Sequence, residues 1–302
     1  MTAASGAPGG LRTPFVHMLG RQRQGSIVCP SCGRLVGVRD ERCLNCGMRN
    51  PGLWGFAAVL RRLGGERAFS HLLIFGCGAL YLASLLMTPD LLSGRGVSGL
   101  LAPSRGSVFL LGASGAVPVF GLGRWWTVLS AGWLHGNLLH ILFNLLWVRD
   151  LAPGVSRLYG AGRMMIIWTA ASVVGFAASS TAGLFFQGVP LIGGAGFTLG
   201  ASASIFGLLG ALIAYGHASG QSAMKRMVWG WVIAGAIFGF VFPGIDNWAH
   251  AGGFLGGWLA ARALGPLAEE RPLHVLGGLA CLAAALAAIV ASIVTGLPLV
   301  RG

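Results

Sequence analysis

Carboxylates are what this chain has least of: eight aspartates and glutamates in 302 residues, with all charged residues together making up 10%. So little charge cannot solubilise a chain that is 55% hydrophobic with a mean hydropathy of +0.74, and a soluble fold is excluded. Ion-coupled transport is disfavoured too, because it needs intramembrane carboxylates, which are nearly absent here, and no half-repeat is apparent. Residues 1 to 26 mix Pro, Gly, Arg and Gln with no apolar run of signal-peptide length, so no cleavable leader is expected. Collagen and flexible linkers need a period or a polarity that the 51 glycines do not show.

Present instead are apolar stretches near twenty residues, the length a helix needs to cross roughly 30 Å of hydrocarbon. The expected fold class is an all-α polytopic membrane protein. Its glycines suit close helix packing, since lipid offers helices no hydrophobic reason to associate. Seven spans are expected, at about 70–88, 134–152, 163–185, 201–219, 226–243, 246–264 and 273–296. Segments 89–133 and 186–199 are too broken by glycine to span. Residues 1–25 are expected to be disordered, 26–50 to form a small head, and 51–69 to be an amphipathic juxtamembrane stretch on the lipid headgroups, with Trp54, Phe56, Arg61, Arg62 and Arg67. A six-helix core then fills 70–265, and 266–302 adds a seventh, C-terminal span.

The net charge of +13 follows topology rather than nucleic acid, because the basic residues lie at span ends and in the N-terminal segment. With the N-terminus inside, seventeen of the 21 Lys and Arg fall on the inner side and four (Arg95, Arg105, Arg124, Arg301) on the other. The positive-inside rule therefore predicts a cytoplasmic N-terminus. The lipid bilayer is the expected partner, and nucleic acid is not.

Four of the six cysteines form two C-x-x-C-G turns, Cys29-Pro30-Ser31-Cys32-Gly33 and Cys43-Leu44-Asn45-Cys46-Gly47. Each turn offers two thiolates to one side of a metal, and the pair completes a tetrahedral four-sulfur site. Such a closed site is structural zinc holding a ribbon together. Disulfides are the alternative, disfavoured by a reducing cytoplasm. Cys77 and Cys281 lie alone in spans and read as packing residues.

A serine and a histidine stand inside two different apolar stretches, Ser202 in Leu199-Gly200-Ala201-Ser202-Ala203-Ser204-Ile205-Phe206 and His250 in Ala249-His250-Ala251-Gly252-Gly253. An imidazole in hydrocarbon is by default a functional group with a partner to be named, and Ser202 is that partner. The pair suggests acyl-transfer chemistry below a membrane surface. Further back, His140 and Asn144 are four apart and share a helix face. They read either as interhelical hydrogen-bonders or as part of the same site. Metal binding by His135 and His140 is a weaker option, because a five-residue offset splays the rings and no carboxylate lies nearby.

These motifs resemble the rhomboid family of intramembrane serine proteases over about 70–265: His135 with four residues before His140 and three before Asn144, Gly200-x-Ser202 with Phe206, and Ala249-His250-x-x-Gly253-x-x-x-Gly257. The resemblance implies a rhomboid protease core with Ser202 as nucleophile, His250 as general base, and Phe206 packed against that imidazole. It also implies an oxyanion hole of His140, Asn144 and the Ser202 amide, with no cofactor in catalysis. Gly253 and Gly257 are expected to let the fourth and sixth spans approach, facing Ala203, Gly207, Gly210 and Ala211. Asp246 is read as an interfacial residue where the sixth span begins. The implied substrates are single-span membrane proteins cut near their outer boundary. The implied location is a bacterial inner membrane, with the site opening outward.

Three departures from the family pattern stand out. Ala203 replaces a glycine, and its methyl is expected to tighten the oxyanion pocket. The common Trp-Arg pair reads Trp126-Thr127, with Arg124 displaced, and a frequent glutamate appears as Ser156. Ser204 is assigned to packing. The competing function is a catalytically inactive relative that binds membrane clients, though such relatives usually lack the serine or histidine.

Overall fold

The computed structural model describes residues 21–57, 59, 65, 67–88, 101–186, 188, 189, 193–242 and 244–301. Two compact units result, Met1–Leu63 and Gly64–Gly302. Expectations for residues 1–20, for Arg61 and Arg62, and for Arg95 fall outside the described residues.

In the first unit, β1 (Ser26–Val28) and β2 (Leu35–Gly37) pair antiparallel, with Ile27 opposite Val36. Ile27, Val36 and Val38 are buried with Cys29 and Cys43. So small an apolar cluster cannot stabilise a domain of this size, which is why such heads need a staple. Trp54 and Phe56, expected on the headgroups, sit at a 3₁₀ turn, Leu53–Gly55, within this unit.

The second unit is helical: α1 (Ala68–Leu86), α2 (Arg105–Leu111), α3 (Leu138–Tyr159), α4 (Ala161–Phe185), α5 (Ser202–Ala218), α6 (Ser222–Val241), α7 (Asn247–Ala263) and α8 (Pro272–Arg301). All but α2 correspond to the seven expected spans. Five of them are long and apolar enough to cross a membrane, and the chain is a multi-pass integral membrane protein. The fold is a six-helix core with a seventh, C-terminal helix. Leu255, Ile233, Phe240 and Leu286 point outward, as lipid-facing side chains must. The second span starts later than its apolar run, at Leu138, because Asn137 turns back to accept the His140 amide at 2.7 Å and caps the helix. It also runs on past Pro153 to Tyr159.

Helices α5 and α7 depart from expectation, with 17 residues each. At 1.5 Å per residue they are about 25 Å long, short of the roughly 30 Å hydrocarbon layer. These are the helices that carry Ser202 and His250. Between α2 and α3 the chain makes short turns, and Ser114 pairs antiparallel with Thr198 through two backbone bonds of 2.9 and 2.8 Å. That bridge fixes the segment leading to Ser202.

Candidate active site

Ser202 is the first residue of α5, so its amide is one of the helix's unsatisfied N–H groups and lies at the positive end of the helix dipole. Gly200 precedes it at φ +135°, and a Cβ there would come within 2.7 Å of His140 Nε2. Only glycine meets both demands. Its amide donates to the Ala131 carbonyl at 3.0 Å, which anchors the turn.

Helix α7 brings His250 alongside. Its imidazole stacks on Phe206, one turn into α5, with ring centroids 4.2 Å apart and planes 12° from parallel. The stacking orients the ring, and the contact is worth about 0.5–1.5 kcal/mol beyond area burial. The two helices meet backbone to backbone: a Cβ on Gly253 would lie 2.1 Å from the Ala203 oxygen, and one on Gly257 2.3 Å from Gly207 Cα. Among the described residues no hydrogen bond joins Ser202 Oγ to His250, and His250 Nδ1 is buried without a partner. Catalytic hydrogen bonds are commonly looser without substrate.

Helix α3 carries His140 and Asn144, and it brings the His140 ring against the Gly200 turn. His140 Nδ1 accepts the Gly136 amide at 3.4 Å, which leaves Nε2 as the protonated nitrogen on the side of Gly200. Asn144 is buried, and among the described residues its Nδ2 donor is unpaired. His135 is fully buried and meets His140 edge to face at 5.2 Å. The Ser202 amide and the His140 Nε2 edge thus both border the turn at Gly200.

The structure redirects one sequence expectation. The Ala203 methyl is buried with Ala131, Phe176 and Ala249 and contacts the Gly175 position of α4, so it fills a helix junction rather than tightening an oxyanion pocket. Ser204 is fully buried and donates to the Trp168 carbonyl at 2.9 Å. Arg124 is also buried, lying over Phe109 and donating to the Phe109 and Ser292 carbonyls at 3.2 and 2.7 Å. Sequence reasoning missed the hydroxyl partners of Asp246, whose Oδ2 accepts from Ser179 at 2.5 Å and Thr198 at 2.7 Å. It likewise missed the brace at the opposite end of the core. There Glu270 accepts the Gly162 and Arg163 amides at 2.7 and 3.1 Å, and Arg163 donates to the Leu264, Gly265 and Ala268 carbonyls.

In the head, the four sulfurs of Cys29, Cys32, Cys43 and Cys46 lie within 4.8 Å of one another and could hold a metal ion. Cys29 to Cys46 is 3.7 Å and Cys32 to Cys43 is 3.6 Å. A tetrahedron with Zn–S bonds near 2.3 Å has edges of about 3.8 Å, so the set fits. Each knuckle closes by the same bonds, Gly33 to the Cys29 carbonyl and Gly47 to the Cys43 carbonyl, with both glycines at positive φ. Burial pushes the Cys29 thiol up to about 11, while the Arg34 amide is the first of several donors that lower Cys32 to about 6.

Residues 122–267 match the family model described as Rhomboid domain. The chain is 37% identical over 147 residues to the Rhomboid protease GluP of Bacillus subtilis, covering 47% of this chain and 27% of that protein. It is 31% identical over 143 residues to the Rhomboid protease GlpG of Pectobacterium atrosepticum (45% and 47%), and 30% identical over 164 residues to RHOMBOID-like protein 7 of Arabidopsis thaliana (53% and 49%). The chain thus spans between about a quarter and a half of these curated relatives.

Proposed function

We propose, taking the rhomboid domain carried by this chain as the premise, that the protein is an intramembrane serine endopeptidase cutting single-span membrane proteins with a Ser202–His250 dyad. The observation that carries the reading is the stack of His250 on Phe206 at 4.2 Å, one turn into the helix that Ser202 begins. Relatives named as proteases support it.

In the proposed cycle His250 takes the Ser202 hydroxyl proton as Oγ attacks the scissile carbonyl carbon. The carbonyl oxygen becomes negative and is held by the Ser202 amide, His140 Nε2–H and Asn144 Nδ2–H. Each such donor is worth a few kcal/mol in a low-dielectric site. His250 then passes the proton to the leaving amine, and the C–N bond breaks to give an acyl-Ser202. Water, deprotonated by His250, hydrolyses the ester and regenerates Oγ–H. Water must reach Ser202 for that last step, and Ser202 and His250 are both partly accessible in their first turns.

The domain plan extends this reading: a core over 70–265 doing the chemistry, an added helix in 266–302, a juxtamembrane segment at 51–69 and a head at 26–50 stapled by zinc on Cys29, Cys32, Cys43 and Cys46. The arginine distribution supports a cytoplasmic head and a site open to the outer side of a bacterial inner membrane. The test is incubation of purified protein with a tagged single-span reporter. Cleavage is expected from wild type and lost in Ser202→Ala and His250→Ala, and a fluorophosphonate probe should label Ser202. Cleavage that survives both substitutions would remove the dyad. Client binding without cleavage or labelling would favour the inactive-relative reading.

A further inference from the structure

Asp246 lies one turn before His250 and takes no part in the steps above. Its Oδ1 accepts the Ala249 amide at 2.9 Å and caps α7. Its Oδ2 accepts two hydroxyls, from Ser179 of α4 at 2.5 Å and from Thr198 at 2.7 Å. Among the described residues it forms no ion pair. One carboxylate thus gathers three neutral donors from three places: the first turn of α7, the helix α4 and the segment running into Ser202. Bonds to a charged acceptor are roughly twice as strong as neutral ones, so this junction is firm.

The donors it holds are themselves fixed. Thr198 is bridged to Ser114 by both backbone bonds, and Gly200 is anchored on Ala131. Four residues after Thr198 comes Ser202. Four residues after Asp246 comes His250, whose amide donates to the Asp246 carbonyl at 3.1 Å. Nothing bonds the imidazole at Nδ1, so its place is set by the Phe206 stack and by where the first turn of α7 is pinned. An asparagine would still cap with its oxygen, but the two hydroxyls would have to turn from donors to acceptors of a neutral amide, and the charge that makes the junction firm would be lost.

We propose that Asp246 is a positioning residue: by tying Thr198 and Ser179 to the start of α7, it sets the separation between Ser202 Oγ and the His250 ring. The inference rests on the Ser202–His250 reading above.

The test uses the full chain, the fluorophosphonate labelling rate, kcat and KM on the reporter, and the thermal midpoint. Asp246→Asn and Thr198→Val should each slow labelling and kcat about tenfold or more at unchanged KM, since misplacement by about 1 Å is worth up to 10²-fold. Thr198→Ser keeps the hydroxyl and should restore the rate. The Asp246→Asn/Thr198→Val double variant should be no slower than Asp246→Asn alone, because both remove one strap. Wild-type labelling rates in Asp246→Asn and Thr198→Val, with Ser202→Ala unlabelled, would overturn the inference and leave the dyad standing. Thr198→Ser as slow as Thr198→Val would also overturn it, and that comparison decides the matter if Asp246→Asn does not fold. Labelling of Ser202→Ala at the wild-type rate would instead sink the dyad, and this inference with it.

Discussion

Gly253→Ala is the most severe small change that can be made to the proposed site without touching a reacting group. The new Cβ would sit 2.1 Å from the Ala203 carbonyl oxygen, 2.7 Å from its carbon and 3.0 Å from its Cα. All three atoms are backbone of α5, so no side chain can swing aside. Carbon and carbonyl oxygen rest at about 3.3 Å or more, so the helices must part by roughly 1 Å. Ala203 adjoins Ser202, and Gly253 is one turn from His250, so the displacement falls on the dyad itself. A shift of that size costs about 10²-fold in rate. Overpacking costs about 1–3 kcal/mol of stability, offset in part by up to about 1 kcal/mol of helix propensity, so the protein still folds. The matched control is Gly230→Ala in α6, where nothing lies within 4 Å of the added carbon. Initial rates of reporter cleavage in proteoliposomes, with thermal midpoints, should show the first variant folded and about a hundredfold slower and the second like wild type. A Gly253→Ala enzyme within about twofold of wild type would refute the claim that this contact sets the geometry.

Removing single oxyanion donors gives a second expectation: His140→Ala and Asn144→Ala should each lower kcat by about 10²-fold with KM little changed, and full activity in either would take that residue out of the pocket. Purified protein should contain about one zinc per chain by mass spectrometry, lost when Cys29 and Cys32 are replaced by serine. Because burial pushes the Cys29 thiol up to about 11, metal uptake must expel its proton, and chelator competition should show weaker binding at lower pH; pH-independent affinity would argue against a thiolate site. Burial is likewise the main reason the Glu270 carboxyl lies above its usual value, against the pull of the Arg163 and Gly162 amides and the Arg163 charge. A raised folded value means the native state holds the proton longer, so stability should fall as pH rises from the ordinary glutamate range through the raised one. Glu270→Gln, which keeps an acceptor for the two amides, should flatten that slope in thermal melts, and an unchanged slope would refute the assignment.

Much of this architecture was legible because membranes simplify the reading of a sequence. Seven apolar runs became seven helices, and Ser202, His250, His140 and Asn144 stood out as polar groups where hydrocarbon tolerates few. Helix lengths were less legible. Caps such as Asn137 and Asp246 decide where α3 and α7 start, and the apolar run extends past them, so α7 reads as an ordinary span when it has 17 residues. The direction of the Ala203 methyl also escaped, since it depends on how three helices cross. So did the ties from Asp246 to Thr198 and Ser179, which are 48 and 67 residues away and carry no periodic signal.

Arg124 and Trp126 both reach for Ser292, 168 and 166 residues further along the chain. A ribosome delivers those residues in order, at about 5–20 per second, so the guanidinium waits roughly ten to thirty seconds for the carbonyl that completes its burial. Until α8 is inserted, the stretch that bridges to Thr198 lacks this clamp, and on the protease reading proposed above the site is expected to be dormant. Probe labelling of chains arrested before α8 would contradict that timing.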